Sequence, residues 1–326
     1  MARSVAIIGA GQIGFASACA FQSAGWEITI HSRSRPAWTE FPSEWRQYEA
    51  GTDPAPQADV VIDTIAFDET DITRYDPDMV GRLIAISSAS VYCDEQGRTL
   101  DEGPINGYPQ FTGPITEDQS TVAPGDATYS TRKVRMENKA IERFGNRATI
   151  LRPCAIYGQY SRHLREWWFI KRLMDGRNRI PLLLDGRSQF QTTNVLGISE
   201  FALEAAEREL AGIFNISDTD TPTVREIGLA ICNSLNREVN FIDSGSKGFV
   251  GRTPWSVPHP FAVSGKKAHS LLHEQRFDYA DHVGDGIAWT RNVDQDQWQA
   301  TFPQLAAYPW DLFDYAAEDR FFDERT

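Results

Sequence analysis

The stretch Ser4-Val-Ala-Ile-Ile-Gly-Ala-Gly-Gln-Ile-Gly14 joins a short apolar run to the spacing G-x-G-x-x-G. The apolar run predicts a buried parallel strand, and the alanine-rich segment Phe15 to Ala24 predicts a helix. Glu27-Ile-Thr-Ile-His31 then predicts a second strand. Strand, glycine turn, helix and strand in this order predict a dinucleotide-binding unit, in which the helix N-terminus faces the pyrophosphate.

The glycines of this turn have different roles. Gly9 permits the tight turn after the strand, Gly11 lets the backbone approach the pyrophosphate, and Gly14 allows the helix to pack closely on the strand. Gln12 and Ile13 lie between them at the start of the helix. We predict that all five residues belong to a cofactor site. An ordinary glycine-rich turn is the alternative, and the flanking elements argue against it.

The end of the second strand indicates which dinucleotide is bound. An NAD site usually carries an acidic residue there for the ribose 2′-hydroxyl, whereas an NADP site accommodates the 2′-phosphate with arginine. Here the chain has no carboxylate, and Ser32, Arg33 and Arg35 supply hydroxyl and guanidinium donors instead. We therefore predict NADP(H), with NAD as the alternative. A solvated basic loop is the structural explanation of the same residues.

A tyrosine and a lysine four residues apart, in Tyr129-Ser-Thr-Arg-Lys133, lie on one face of a predicted helix. A phenol normally ionises at about pH 10, and a nearby cation lowers its pKa. Tyr129 is thus expected to act as an acid or base near neutrality, with Lys133 as the cation. An upstream serine cluster includes Ser87 and Ser88, and a hydroxyl there could hold the substrate oxygen that gains or loses the proton.

The order of the motifs resembles one enzyme family. The glycine-rich turn is followed by Ser88-Ala-Ser-Val-Tyr92, Tyr129-x-x-x-Lys133 and Leu151-Arg-Pro-Cys-Ala-Ile-Tyr-Gly158. Together these motifs resemble the extended short-chain dehydrogenase/reductases, the NAD-dependent epimerase/dehydratase family, over roughly residues 4 to 230.

The resemblance implies a fold class and a domain organisation. The fold is expected to be α/β, a Rossmann-type doubly wound parallel sheet with a smaller, interleaved C-terminal substrate domain. The cofactor domain is expected over residues 1–157 and the mainly substrate-binding part over residues 158–326. A strand is expected to return to the sheet near residues 190–217. Family members are often dimers, so a homodimer is one expectation.

The resemblance also implies roles for single residues. Tyr129 would be the general acid/base, Lys133 would bind the nicotinamide ribose and lower the tyrosine pKa, and Ser88 would bind the reacting oxygen. The other cofactor contacts implied by position are Asp53, Ala66, Ser87, Pro153 and Cys154.

The chain departs from the family pattern in several places. The stretch between Ala66 and Arg82 is too short for the full helix that is usual there, and the polar stretch from Asp94 to Gly113 predicts an insertion loop near the active site. Sugar-nucleotide enzymes often have an arginine where this chain has Phe190 and an aspartate where it has Gly197. Those two differences weaken the prediction of a nucleotide-sugar substrate and leave the redox centre unaffected.

Further elements are predicted from the apolar periodicity. Strands are expected around 47–50 and at 59–65, 82–87, 148–151 and 211–216, and helices at 127–144, 164–174, 199–210 and 224–235. Asp126 is the predicted N-cap of the helix that carries Tyr129. A basic cluster at Arg162, Arg165, Lys171 and Arg172 could meet an anionic substrate, but we favour a solvated helix face.

Composition argues for an ordinary soluble enzyme with a small-molecule substrate. The chain has 326 residues, 41% of them hydrophobic, which suffices for a large core. Its net charge of −13 argues against nucleic-acid and membrane-surface partners. The four cysteines lack C-x-x-C spacing and the histidines lack an H-E-x-x-H pattern, so no disulfide framework or metal site is expected. No apolar run of about eighteen residues occurs, and no signal peptide fits before the first strand, so we expect a cytoplasmic protein.

Three functions remain open from the sequence. The favoured one is an NADP(H)-dependent reductase or dehydrogenase that transfers hydride at the carbonyl or hydroxyl carbon of a small sugar-like, aldehyde or ketone substrate. The second is a sugar or nucleotide-sugar epimerase or dehydratase with transient oxidation by a bound dinucleotide. The third is a non-catalytic nucleotide-sensing or RNA-associated protein, against which the intact serine, tyrosine and lysine set and the acidic charge argue.

Overall fold

The computed structural model describes residues 3–36, 38, 44–272 and 277–325. Within these ranges the strands are β1 (Ser4–Ile8), β2 (Glu27–Ser32), β3 (Glu44–Gln47), β4 (Ala58–Asp63), β5 (Val80–Ile86), β6 (Ala148–Pro153), β7 (Ala155–Tyr157), β8 (Arg179–Leu182), β9 (Thr192–Asn194), β10 (Gly212–Ile216) and β11 (Asn240–Asp243). The helices are α1 (Gln12–Ser23), α2 (Glu69–Thr73), α3 (Gly103–Asn106), α4 (Tyr129–Phe144), α5 (Trp167–Met174), α6 (Val195–Glu207), α7 (Val224–Ser234), α8 (Lys266–His269), α9 (Tyr279–Ala288), α10 (Trp298–Thr301), α11 (Pro303–Ala306) and α12 (Tyr315–Asp323).

Seven strands form one parallel sheet in the order β10-β6-β5-β4-β1-β2-β3. From β1 the chain moves to β2 on one side, and it returns to β4 on the other side. In open α/β sheets, ligands bind at such a reversal, beyond the carboxyl ends of the strands. The predicted doubly wound parallel sheet is confirmed, and its reversal point lies where the glycine turn follows β1.

The two faces of the sheet are covered by different helices. Val5 and Ile7 of β1 pack with residues of α1 and α6, whereas Ala6 and Ile8 pack with residues of α2 and α4. This alternation follows from the two-residue period of a strand and explains why β1 is apolar on both faces. The helix after the glycine turn begins at Gln12, inside the motif, rather than at Phe15 as the sequence predicted.

The helix that carries Tyr129 begins later than predicted. Thr128 is its N-cap: the Thr128 hydroxyl accepts from the backbone N–H of Thr131, and the Thr131 hydroxyl accepts from the backbone N–H of Thr128. The predicted cap, Asp126, forms an ion pair with Arg135 instead. Thr128, and not Asp126, is the cap because it lies directly before the first helical residue, where a capping side chain can reach the free N–H groups.

The C-terminal half has its own core and shares one strand with the main sheet. Residues of α5, α7 and α9 form an apolar cluster around Trp167, Phe169 and Tyr279. Two short parallel ladders, β8 with β11 and β7 with β9, lie in this half, while β10 pairs with β6 at the edge of the main sheet. The second lobe is therefore interleaved with the first.

The insertion 94–113 is an ordered loop built around one carboxylate. Asp94 accepts hydrogen bonds from the backbone N–H groups of Gln96, Arg98 and Gln110, and from the Arg98 guanidinium at 2.7 Å. Burial acts to raise the pKa of Asp94, but the hydrogen bonds from Arg98 and from the three backbone groups outweigh it and hold the pKa at about 2. The loop carries α3 and joins its two ends through this residue.

The third strand of the sheet differs from its prediction. β3 is Glu44–Gln47, and residues 48–50, which were predicted as strand, form one end of a cleft described below. Residues 39–43 of the connector before β3 lie outside the described residues. In the described part of the chain, no helix is both long enough and apolar enough to cross a bilayer.

Candidate active site

Two clefts meet at the carboxyl ends of the central strands. One, of about 570 Å³, runs along the glycine turn and the end of β2, and we call it the cofactor cleft. The other, of about 650 Å³, lies between the ends of β5 and β6, the insertion 94–113 and the C-terminal lobe, and we call it the substrate cleft. Gln12 and Gln304 line both clefts and mark their junction.

The glycine turn has the geometry that a dinucleotide requires. Gly9 has φ +101°, and a Cβ there would lie 2.3 Å from the Thr64 Oγ1. At Gly14 a Cβ would lie 2.1 Å from the Gly9 carbonyl oxygen, so this residue brings α1 against the turn. At Gly11 a Cβ would meet no atom within 4 Å. The space over Gly11 is open toward the cofactor cleft, where the backbone of a dinucleotide site approaches the pyrophosphate.

Two of the three residues predicted to bind the adenosine end of the cofactor line the cofactor cleft, and the third does not. Ser32 and Arg33 line the cofactor cleft, whereas Arg35 is exposed and lies outside its lining. The Ser32 hydroxyl donates to the Ser34 carbonyl at 2.8 Å and accepts from the Trp45 indole at 3.0 Å. Arg33 makes no hydrogen bond or ion pair within the described residues. Of the three predicted donors, Arg33 is therefore the one that is available to a phosphate.

Two further cofactor residues predicted from the family resemblance do not lie in the cleft. Asp53 is exposed, and its carboxylate accepts from the backbone N–H of Glu49 at 2.7 Å, which fixes a turn. Ala66 is fully buried, and its carbonyl accepts from Lys133. The sequence reasoning missed Thr64 and Ile65, which line the cleft beside Ala66. Tyr48, Glu49 and Ala50 line its outer end in place of Asp53.

Tyr129 and Ser88 come together on the floor of the substrate cleft. Both residues line the cleft, and Tyr129 is 44% exposed. Desolvation of the phenol and then the negative charge of Asp101 raise the pKa of Tyr129 to about 12, against the opposing effect of Ser88. Tyr129 is thus a protonated donor at neutral pH in the ligand-free protein. This direction is opposite to the one expected from the tyrosine–lysine spacing.

The reason lies in the direction of the Lys133 side chain. Its ammonium is buried and donates to the Ala66 carbonyl at 2.6 Å and to the Ile86 carbonyl at 2.9 Å. The nitrogen lies 5.6 Å from the centroid of the Tyr129 ring. Burial lowers the pKa of Lys133 to about 8. Lys133 therefore lies behind the tyrosine and joins the ends of β4 and β5.

A buried ion pair supports the serine cluster from below. The Ser87 hydroxyl donates to Glu137, and Glu137 accepts two hydrogen bonds from the Arg152 guanidinium at 2.9 and 2.6 Å. Both charged side chains are buried, and Arg152 also lies 4.8 Å above the Tyr92 ring. The Ser87 backbone lines the substrate cleft while its hydroxyl is engaged in this network. Ser88 and Ser90 line the cleft as well, and the Ser88 hydroxyl donates to the Ser90 hydroxyl at 3.0 Å.

The next residues along the sheet edge also reach the substrate cleft. Pro153 and Cys154 were predicted to line the nicotinamide pocket. Both of them line the substrate cleft. Burial, above all, raises the pKa of the Cys154 thiol well above its usual value, so this residue is a neutral wall of the cleft. Within the described residues no cluster of three or more His, Cys, Asp or Glu side chains is arranged to hold a metal ion.

The insertion 94–113 closes one side of the substrate cleft. Its Asp101 accepts from the backbone N–H of Ser130 at 2.8 Å, next to Tyr129. Its Tyr108 hydroxyl accepts from the Arg252 guanidinium at 2.8 Å, and that guanidinium stacks 4.1 Å from the Trp310 ring. All of these side chains line the cleft apart from Ser130. The insertion is therefore part of the site and bridges the two lobes.

The basic cluster of residues 162–172 divides into two pairs. Lys171 pairs with Asp175 on the surface, and Arg172 forms a buried ion pair with Glu318, so neither reaches a cleft. Arg162 lines the cofactor cleft and Arg165 lines the substrate cleft. The favoured interpretation of a solvated helix face thus holds only for Lys171. Arg172 is on α5 but buried, and Arg162 and Arg165 precede α5 on a loop that borders the clefts.

The cofactor cleft fits a dinucleotide in its donors and in its shape. The Gln12 Oε1 atom is buried without a hydrogen-bond partner among the described residues, at the junction of the two clefts. A Cβ at Gly11 would meet open space, and the N-terminus of a helix such as α1 favours an anion. His31 is neutral, since burial and then Arg46 lower its pKa to about 4, so it adds no charge at neutral pH.

Several solved structures have a fold similar to that of this chain. A dTDP-glucose 4,6-dehydratase of Bacillus anthracis, in complex with NAD, superposes with a TM-score of 0.66 at 14% identity, covering 92% of this chain and 100% of the other. A UDP-N-acetylglucosamine 4-epimerase of Bacillus cereus has a TM-score of 0.65 at 17% identity, covering 90% of this chain and 98% of the other. A UDP-glucuronic acid 4-epimerase of Bacillus cereus, in complex with UDP-glucuronic acid and NAD, superposes with a TM-score of 0.63 at 14% sequence identity. The match covers 89% of this chain and 100% of the other.

No protein-family model matches the chain, and no curated protein sequence does. The structural neighbours nevertheless share the fold over nearly the whole length of both chains. The resemblance to the extended short-chain dehydrogenase/reductases, inferred from the order of the motifs, is therefore confirmed at the level of the fold.

Proposed function

We propose that this chain is a nicotinamide-dinucleotide-dependent epimerase or dehydratase of a nucleotide-linked sugar. It would oxidise a hydroxyl-bearing carbon and return the hydrogen within one catalytic cycle. The observation that carries the proposal is the junction of the two clefts at Gln12 and Gln304, with Tyr129 and Ser88 on the adjoining floor. A dinucleotide along the glycine turn and a sugar over Tyr129 would there meet end to end.

The residues of the site would divide the chemistry as follows. A nicotinamide dinucleotide held along the glycine turn would supply the acceptor and donor of the hydride. Ser88 donates a hydrogen bond to the substrate oxygen and holds it beside the Tyr129 hydroxyl. In its phenolate form Tyr129 would take the proton of that oxygen during oxidation, and the phenol so formed would return it during reduction. Holding the oxygen, the carbon and the cofactor in one geometry supplies much of the rate enhancement.

Two arginines in the substrate cleft support an anionic, nucleotide-linked substrate. Arg165 and Arg252 both line the cleft, and neither forms an ion pair with a carboxylate within the described residues. An arginine in a cleft without a carboxylate partner fits a phosphate, which it can bind with two parallel hydrogen bonds. Phe190 and Phe261 stack at 5.2 Å in the same cleft and offer an apolar wall. These arginines offer positive charge in place of the arginine that sugar-nucleotide enzymes often have where this chain has Phe190.

The structural comparisons add independent support. The neighbours named above are a dehydratase and two epimerases of nucleotide sugars, and two of them were crystallised with NAD. Internal oxidation and reduction is thus favoured over the net NADP(H)-dependent reductase that the sequence suggested first.

A second candidate function rests on Arg33. This guanidinium lines the cofactor cleft at the end of β2, where the chain has no carboxylate to bind a ribose 2′-hydroxyl. That arrangement favours NADP(H), and NADP(H) favours a net reductase or dehydrogenase of a small sugar-like, aldehyde or ketone substrate. The choice of dinucleotide and the outcome of the reaction are therefore tested together.

The test is turnover of purified protein with NAD⁺, NADP⁺ and their reduced forms against nucleotide sugars, free sugars, aldehydes and ketones. Product mass and nicotinamide absorbance are followed in the same reaction. A rearranged or dehydrated nucleotide sugar at constant absorbance supports the proposal, and steady loss of NADPH supports the second candidate. Tyr129→Phe should abolish either activity while dinucleotide affinity stays within about twofold, because the phenol hydroxyl acts on the substrate oxygen. Turnover by Tyr129→Phe at more than a tenth of the normal rate would refute the catalytic assignment.

A further inference from the structure

The loop after β7 places an arginine in the lining of the cofactor cleft, to which the glycine turn also belongs. Arg162 is exposed and lines the cleft together with Gly9, Gly11 and Gln12, although about 150 residues of sequence separate them. It makes no hydrogen bond or ion pair within the described residues. Other exposed arginines do pair with a carboxylate, as Arg3 does with Glu207 and Arg208 does with Glu204.

The conformation of this loop is fixed by its neighbours. Tyr160 has φ +60°, which is uncommon for a residue with a side chain. Its ring packs against Phe15 of α1 at 4.7 Å and against Trp289 at 5.8 Å. Ser161 is fully buried, and its hydroxyl accepts from the backbone N–H of His163 at 3.3 Å. The backbone on both sides of Arg162 is thereby anchored, and one anchor is the first turn of α1.

The charged residues that line the cofactor cleft are mainly basic, although the protein as a whole is acidic. The whole chain carries −13, yet the charged residues lining the cofactor cleft are Arg33, Arg162 and one carboxylate, Glu49. Glu49 lies near Tyr48 and Ala50, at the end of the cleft where β3 meets β2. A local excess of positive charge in an acidic protein is typical of a site that binds an anion.

We propose that Arg162 binds the pyrophosphate of the dinucleotide together with the glycine turn. The turn offers backbone N–H groups and the N-terminus of α1, and Arg162 adds a guanidinium. Arg33, at the end of β2, recognises the adenosine 2′-phosphate if one is present. The two arginines thus have separate targets on the same ligand. This inference rests on the dinucleotide-binding part of the proposed function.

The experiment is calorimetric titration of the full chain with NADH, NADPH and AMP, for the parent and for Arg162→Ala, Arg33→Ala and Arg237→Ala. Arg237→Ala is the matched control, because Arg237 is exposed, unpaired within the described residues and outside both clefts. Arg162→Ala should weaken NADH and NADPH by the same factor, about ten- to a hundredfold, since a charge-assisted hydrogen bond to phosphate is lost. AMP binding should change by less than about threefold, and Arg33→Ala should weaken NADPH alone.

The outcomes separate this inference from the proposed function. If the parent chain binds neither NADH nor NADPH, the proposed function fails. If it binds either tightly and Arg162→Ala binds equally well, the assignment of Arg162 is overturned while the proposed function stands. A loss confined to NADPH in Arg162→Ala would also overturn it, by moving the contact to the 2′-phosphate. Arg162→Lys should recover part of the affinity, and thermal unfolding of each variant confirms that the fold is intact.

Discussion

Single alanine substitutions in the glycine turn test which glycine is needed for the packing of α1 and which for binding the dinucleotide. A Cβ at Gly14 would lie 2.1 Å from the Gly9 carbonyl oxygen, whereas carbon and oxygen normally approach to about 3.3 Å, so α1 must retreat by about 1 Å. The clashing atom is backbone and cannot rotate away. We expect Gly14→Ala to cost about 1–3 kcal/mol of unfolding free energy, as overpacked cores do.

Gly11→Ala should behave differently. A Cβ there meets no atom within 4 Å, and Gly11 is the N-cap of α1, where alanine is less favourable than glycine by up to about 1 kcal/mol. The same Cβ occupies the path of the pyrophosphate and keeps a phosphate from the backbone N–H groups. Loss of one charge-assisted hydrogen bond, about 1.5–3 kcal/mol, corresponds to about a ten- to hundredfold weaker dinucleotide affinity.

The assay combines urea unfolding with calorimetric titration of NADH and NADPH. Gly113→Ala is the control, since a Cβ there also meets no atom within 4 Å and Gly113 lies outside both clefts. Gly14→Ala should lose stability and affinity, Gly11→Ala mainly affinity, and Gly113→Ala neither. If Gly11→Ala bound the dinucleotide as tightly as the parent chain, the glycine turn would not be the pyrophosphate site.

Two other predictions concern carboxylates near the site, Asp101 and Glu137. Asp101→Asn should lower the pKa of Tyr129, because the Asp101 carboxylate is one cause of its elevation, and each unit of lowering raises the phenolate fraction about tenfold below that pKa. The oxidative rate should then rise at a lower pH than in the parent chain or in the control Glu95→Gln, and coincident pH–rate profiles would contradict this. Glu137→Gln leaves Arg152 buried without its counter-charge and should lower the free energy of unfolding by about 3–5 kcal/mol in urea titrations. A loss below about 1 kcal/mol would mean that water reaches Arg152.

Features set by neighbouring residues were predictable from the sequence. The strand, glycine turn and helix of the opening unit follow from local periodicity, and the positions of Ser88 and Tyr129 follow from the strand and helix that carry them. Spacing does not fix where a long side chain points, however. Lys133 lies on the predicted face, yet its ammonium bonds to the carbonyls of Ala66 and Ile86, so the predicted direction of the Tyr129 pKa was wrong.

Features that depend on distant segments were not predictable. Tyr108 and Arg252 are 144 residues apart and meet across the substrate cleft. Gln304 reaches the junction of the clefts from α11, in a part of the chain without a recognisable motif. Arg162 and Arg165 were visible as basic residues, but a short cluster before an aromatic helix carries no signal that separates cleft residues from solvated ones.

The central claim is that hydrogen leaves a substrate carbon and returns to the substrate within one active site. Its most direct test uses a nucleotide sugar found to be turned over, labelled with deuterium at the carbon that is oxidised, with unlabelled dinucleotide in solution. The account predicts that the product retains the deuterium, that the free dinucleotide stays unlabelled and that nicotinamide absorbance is constant at steady state. Transfer of the deuterium to free dinucleotide, with an absorbance change equal to the product formed, would contradict the account and establish a net dehydrogenase or reductase.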